Sequence, residues 1–339
     1  VAQTQQDTLK PNRDGVVFHV DTAFRMPVTI RVGAADGDVV HHAWLDGRDQ
    51  TIAISGVKTA PTMVVFDDGD HIVKGLTFDQ PTAWLATQLA RDPNLWNRQW
   101  AIDQLAGRTD DPAAAAALRE AAEHADYFLS RQQAVQALAA FPPAAATPAV
   151  DAALGDTASA VRAAAVTALG RLGGPDAVTR IREAFAHDGS YDVRAAAVSA
   201  LVHADSAHAD GVLARALVTP SYREVIRHAA MEGVVRLQDT ARTRDVEALI
   251  ALDPEPAQVL GVLATRGDST ALHALLRHID DRGAGVRRYV VGGFSLALRG
   301  PGRTDILARL KQAAPLILHA DTKQAVQGLI AQAERAAGG

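Results

Sequence analysis

Cysteine is absent from the 339 residues, and its absence removes a disulfide framework, a thiolate metal site and a cysteine nucleophile together. Basic charge is not in excess either. Thirty-four Lys and Arg stand against thirty-nine Asp and Glu, a net charge of -5 with a pI near 6.2, which argues against a nucleic-acid-binding surface. No apolar run approaches the roughly 20 residues that span a bilayer, and the opening Val1-Ala-Gln-Thr-Gln-Gln-Asp7 is not a signal peptide. With 48% hydrophobic and 22% charged residues, the expectation is a soluble, cytoplasmic chain with ample core.

The familiar catalytic patterns are missing as well. None of the twelve histidines is followed by Glu, so there is no His-Glu-x-x-His zinc motif. His203-Ala-Asp205 and His208-Ala-Asp210 share one loop, and His273 and His278 share a helix, but five-residue offsets do not set two rings on one helical face. Asp67-Asp-Gly-Asp70-His71 offers oxygen ligands in a run too short for a calcium loop. Gly293-Phe-Ser295-Leu-Ala297 is one residue from a nucleophile elbow, yet it falls inside a helical pattern rather than between strand and helix. No Gly-rich phosphate loop occurs. The chain itself is expected to carry no catalytic, cofactor or metal residue.

What the chain does have is a repeat. An arginine followed by a small residue at +3 and an apolar one at +7 occurs at Arg98/Ala101/Leu105, Arg131/Ala134/Leu138, Arg162/Ala165/Leu169, Arg194/Ala197/Leu201 and Arg227/Ala230/Val234, with a weaker copy at Arg287/Val290/Phe294. The steps are 33, 31, 32, 33 and 60 residues, the last a double step split by Gln258, and Lys323/Val326 closes the series. Offsets of three and seven share one face of a helix. Second amphipathic helices lie between the copies at 178–186, 212–217 and 272–279, and Pro or Gly punctuates the predicted turns at 141–143, 173–175, 220, 254–256 and 300–302. Paired helices at this period, with an Asp…Val-Arg-x-x-Ala-x-x-Ala-Leu frame, resemble HEAT repeats.

An aspartate stands six residues before the arginine at Asp92, Asp156, Asp188 and Asp281, and five before at Asp126; Ser221 takes that place before Arg227. Such a residue caps the incoming helix and pairs with the arginine one turn later or in the next repeat, so the marker arginines read as a structural ladder.

Residues 1–79 read differently. Apolar alternation at Val28/Ile30/Val32 and Val40/His42/Trp44, short runs at 51–54, 63–66 and 72–78, and Asp-Gly turns at 12–15, 35–38, 46–49 and 67–70 predict about seven short strands. The expected fold is mainly α with an N-terminal β domain: a small antiparallel β-sandwich over 1–79, then a HEAT-like α-solenoid over 80–339, closed by a helix at 322–337. Trp84, Trp96 and Trp100 fall where the two meet, and packing is preferred there over a ligand pocket.

The order of parts, with Pro27-Val-Thr-Ile30, Val64-Val-Phe-Asp67, Val73-Lys-Gly-Leu76, Trp84-Leu-Ala-Thr-Gln-Leu89 and Arg98-Gln-Trp-Ala101, resembles the C-terminal half of the aminopeptidase N family of zinc aminopeptidases. The resemblance implies a fragment of a longer enzyme whose zinc and catalytic residues lie in a part absent here. It implies a noncatalytic lid over a peptide chamber, partnered by that catalytic part and by peptide substrate. Arg223, Arg288 and Arg303, which stand outside the ladder, are then the candidates for contact with a peptide carboxylate. The alternative is a free-standing HEAT scaffold that binds a protein or peptide on its concave face.

Overall fold

A computed structural model describes residues 1–5, 13–17 and 23–336. The fold is mainly α, with a three-stranded antiparallel sheet followed, among the described residues, by sixteen α-helices that form a HEAT-like solenoid. The chain divides into two compact units, Val1–Ala168 and Leu169–Gly339. The turn expected at 12–15 and the end of the helix expected at 322–337 lie partly outside the described residues, at Asn12 and Ala337.

In the first unit, β1 (Met26–Ala34) pairs with β2 (Gly37–Leu45) on one side and β3 (Pro61–Phe66) on the other. The expected Asp-Gly turn closes the first hairpin, with Gly37 at φ 128°, a value an L side chain rarely adopts. One sheet face carries Val28, Ile30, Val32 and Leu45, packed against Ile52, Ile54, Val57 and Ile72. The other carries Arg31, Met63 and Val65, and β3 packs there on α1 (Thr82–Arg91), which buries Leu85 and Leu89.

Among the described residues three strands form where about seven were expected, and the cause is legible. Residues 51–54 and 72–78 bury alternate side chains as strands do, but they form no strand ladder. They lie on the sheet as extended cover rather than as members of it. Period-two burial reports an extended chain against an apolar surface and does not report its hydrogen-bond partners.

The repeat helices follow the frame closely. The marker copies fall on α2 (Leu95–Ala106), α4 (Phe128–Leu138), α6 (Ser159–Leu172), α8 (Tyr191–Ala204), α10 (Val225–Leu237) and α14 (Ala284–Ala297). Their +3 and +7 residues, from Ala101 and Leu105 to Val290 and Phe294, are all 1% exposed or less. Starts are written locally: Pro112, Pro143, Pro175 and Pro256 open their helices, where a missing N–H is harmless. Asn94 Oδ1 accepts from Trp96 N at 2.9 Å to cap α2.

The arginines form the expected ladder. Four reach back to a carbonyl of their own loop, Arg98 to Asp92 O, Arg131 to Ala125 O, Arg162 to Asp156 O and Arg287 to Asp281 O, while Arg194 and Arg227 reach the preceding helix at Phe185 O and Leu217 O. Several also reach forward to an aspartate of the next repeat: Arg98 to Asp126, Arg131 to Asp156 and Arg287 to Asp321. Arg131 grips Asp156 with Nε at 2.7 Å and a terminal nitrogen at 3.1 Å, while Asp156 Oδ1 accepts from Ala158 N. The Arg131 bond, opposed by burial and helped by the Ala158 N–H and the positive charge of Arg131, holds the Asp156 carboxyl below its usual pKa. The pair therefore stabilises fully above the ordinary carboxylate range and loses that contribution as pH falls through the lowered value. A double-mutant cycle of Arg131→Met and Asp156→Asn is expected to give a coupling of about 1–2 kcal/mol at pH 7 that fades in acid. A coupling below the error at neutral pH would show the rung to be ornamental.

Candidate peptide-binding groove

The first unit contains a cavity of about 440 Å³, within the range that binds small ligands or single side chains. One wall is α2, whose Trp96, Gln99, Trp100 and Asp103 fall at i, i+3, i+4 and i+7 and so share a helix face. The opposite wall is the end of β3 and the segment after it, with Phe66, Asp70, Lys74 and Phe78. Gln88 of α1 lies at the base. Trp96 is 67% exposed, an unusual position for so large an apolar ring. Phe78 and Trp100 stand with ring centroids 6.3 Å apart and planes tilted by 31°.

The segment after β3 is shaped by the turn Asp67-Asp-Gly-Asp70, in which Asp67, Gly69 and Asp70 all have positive φ. Buried Asp67 accepts from the amides of His71 and Ile72 and from Lys74 Nζ, and Lys74 also bonds Asp70 at 2.7 Å. Burial opposes charge on Lys74, but its bonds to Asp67 and Asp70 outweigh that and raise its pKa. The Lys74 ammonium thus occupies the position a cation would take among these carboxylates. Among the described residues no group of three or more His, Asp or Glu side chains is placed to hold a metal ion.

Behind the turn, Asp68 joins a charge network that locks sheet to helices. Arg31 Nε and one terminal nitrogen bond Asp68 at 2.9 and 3.0 Å, the same nitrogen reaches Asp92 at 2.5 Å, and the other reaches Asp38 at 3.2 Å. Asn97 of α2 donates to Asp68 and Asp92. Asp92 was expected to cap α2; Asn94 does so instead, and Asp92, whose Oδ1 accepts from Asn94 N, terminates this network.

Among the residues that line the cavity, two buried amide oxygens have no partner. Gln88 is 1% exposed, its Nε2 donates to Asn97 O at 2.7 Å, and its Oε1 has no hydrogen bond. Gln99 Nε2 donates to Asp103 Oδ1 at 2.7 Å, and its buried Oε1 is likewise unpaired. In both, the bond made by nitrogen fixes which amide atom is the oxygen.

The sequence-expected arginines lie elsewhere, in the second unit. Arg223 is exposed at φ 50° in a short 3₁₀ turn before α10. Arg288 is exposed on α14 beside the ring of Tyr289, and half-buried Arg303, at the start of α15 (Arg303–Ala313), donates to Ala333 O. Among the described residues no hydrogen bond or ring contact links any two of the three. His208 bonds Asp205, and His203 faces Arg236. Trp96 and Trp100, expected to serve packing, both line the cavity, and Trp100 packs on Phe78 within it. Their signal was the four-residue spacing, continued by Asp103, on a helix whose other face supplies the repeat core.

A family model for HEAT repeats matches residues 129–202. That is about a fifth of the chain. Comparison with curated proteins finds no match. Among solved structures, human deoxyhypusine hydroxylase in complex with glycerol is 20% identical over 75% of this chain and 94% of its own, with TM-score 0.36. The CpcE–CpcF complex of phycocyanin lyase from Nostoc sp. PCC7120 is 19% identical over 67% and 98%, with TM-score 0.40. An archaeal HEAT-like repeats protein from Thermococcus onnurineus NA1 is 12% identical over 76% and 99%, with TM-score 0.34.

The aminopeptidase reading is corrected by these findings. The matched segment is HEAT repeats, none of these proteins is an aminopeptidase, and a three-stranded sheet stands where the resemblance implied a sandwich. The phrase Val73-Lys-Gly-Leu76, on which it partly rested, is not a strand. Short β-rich phrases recur in many sheets because they answer to burial, not ancestry. No helix among the described residues is long and apolar enough to cross a membrane.

Proposed function

We propose that the chain is a HEAT-repeat scaffold that binds a protein partner by taking an extended segment of it into the groove beside α2. The observation that carries this is Trp96, two-thirds exposed on the rim of a cavity that also presents Trp100 and Phe78. Exposed aromatic side chains with little conformational entropy to lose are the usual anchors of interfaces. The frame of packed repeats fixes α2 and therefore the spacing of its two indoles. Solenoid repeats are suited to this role because stacked neighbours hold a long surface rigid without any single residue having to be catalytic.

A library of twelve-residue peptides displayed on phage, selected against the immobilised chain, tests the proposal. Recovered peptides are expected to bind at least about tenfold more weakly to Trp96→Ala, and to bind Trp44→Ala, exposed on the sheet, as they bind the parent. Recovery of no peptide, or of peptides indifferent to Trp96→Ala, would overturn it.

A further inference from the structure

We propose that the groove recognises an arginine side chain of the partner segment. This rests on the peptide-binding reading above. The cavity wall offers acceptors in excess: the unpaired Oε1 atoms of Gln88 and Gln99, and the Asp103 carboxylate, of which one oxygen holds Gln99. Its only cation, Lys74, is committed to Asp67 and Asp70, and three carboxylates against one ammonium leave the lining negative. A buried amide oxygen without a donor is costly. A guest that brings donors removes that cost at two places.

The rings narrow the choice among donors. Trp96, Trp100 and Phe78 present π faces, which attract cations and stack best with a planar one. An ammonium has three donors around a point and no plane; a guanidinium has five N–H donors in a flat fork. A fork of that kind carries donors enough for two amide oxygens and a carboxylate, and its flat face suits an indole. The chain makes such a contact itself at Arg25, whose guanidinium carbon stands 4.8 Å from the Trp44 ring centre. A neutral apolar anchor would satisfy the rings and leave both oxygens and the negative lining unanswered.

The test titrates the whole chain with Nα-acetyl-L-arginine amide and with the citrulline analogue, which keeps the shape but loses the charge. The indole N–H signals of the four tryptophans are read by NMR, alongside the composition of the library peptides. The arginine probe is expected to shift the Trp96 and Trp100 signals and leave Trp44 and Trp84 still, with citrulline at least about tenfold weaker. Asp103→Asn, at an exposed position that does not hold the fold, is expected to weaken the arginine probe about three- to tenfold and leave citrulline unchanged. Library peptides that need Trp96 are expected to share an arginine. Citrulline binding as well as arginine, or Trp96-dependent peptides lacking arginine, would overturn the inference and leave the peptide-binding reading standing. A library that yields no peptide, together with unmoved indoles, would remove both.

Discussion

Arg31→Met should lower the unfolding free energy by about 3–5 kcal/mol, as read from urea denaturation at pH 7. Methionine fills much of the same volume, so packing is not the chief loss. The loss is the positive charge among Asp38, Asp68 and Asp92, the last of which is fully buried. With Arg31 gone, two carboxylates that share it and the Asn97 amide are left facing each other across the sheet–helix joint. Arg31→Lys should recover only part, since an ammonium cannot repeat the paired bonds to Asp68.

The pH dependence has a definite sign. Burial alone would raise the Asp68 carboxyl, but the hydrogen bonds from Arg31 and Asn97 and the charge of Arg31 hold it below its usual value. Stability from this group is therefore complete above the ordinary carboxylate range and falls away as pH drops through the lowered value. The cost of Arg31→Met should shrink as pH is taken from 7 toward 3. A cost below about 1 kcal/mol at pH 7, or one that grows in acid, would show that the network is not what joins sheet to helices.

Gly293→Ala tests the seams of the second unit, and two rules predict opposite results. Alanine in place of glycine in a helix interior favours the helix by about 1 kcal/mol. Yet a Cβ on Gly293 would sit 2.5 Å from Ala257 O, and one on Gly261 would collide with Gly293 O. These contacts are between backbones of α14 and α12 (Pro256–Thr265), so no rotamer relieves them. Each substitution should destabilise by about 2 kcal/mol or more, net of the propensity gain. Gly292, next along α14, has only Gln258 Nε2 at 4.0 Å, and Gly292→Ala should stabilise by about 0.5–1 kcal/mol. If Gly292→Ala and Gly293→Ala moved thermal stability alike, the close approach would have no energetic meaning.

The parts of the fold that periodicity governs were legible in advance. The repeat frame named buried positions such as Ala165, Leu201 and Phe294 because a helix face is a matter of spacing alone. Proline and glycine marked the inter-helix turns, and Pro143, Pro175 and Pro256 open the next helix there because a first-turn N–H has no partner to lose, although Pro148 sits inside the helix Pro143–Ala153. Pairing is not a matter of spacing, and Ile52, Ile54 and Ile72 alternate as strand residues do while serving as cover. The groove was half visible. Trp96, Trp100 and Asp103 share a face in sequence, but the unpaired oxygen of Gln88 depends on Asn97 O being beside it, which only tertiary structure decides. Arg223, Arg288 and Arg303 were selected for lying outside the ladder, and standing outside one pattern does not place residues together.

The ladder also has a direction. Arg98, Arg131 and Arg287 meet their aspartates 28, 25 and 34 residues later in the chain. On a ribosome the N-terminal member of each rung emerges first, bonded to its own loop carbonyls, and its counter-charge arrives roughly a repeat afterwards. Each of these three repeats is therefore finished by its successor, and assembly of their charged rungs proceeds from the start of the chain toward its end.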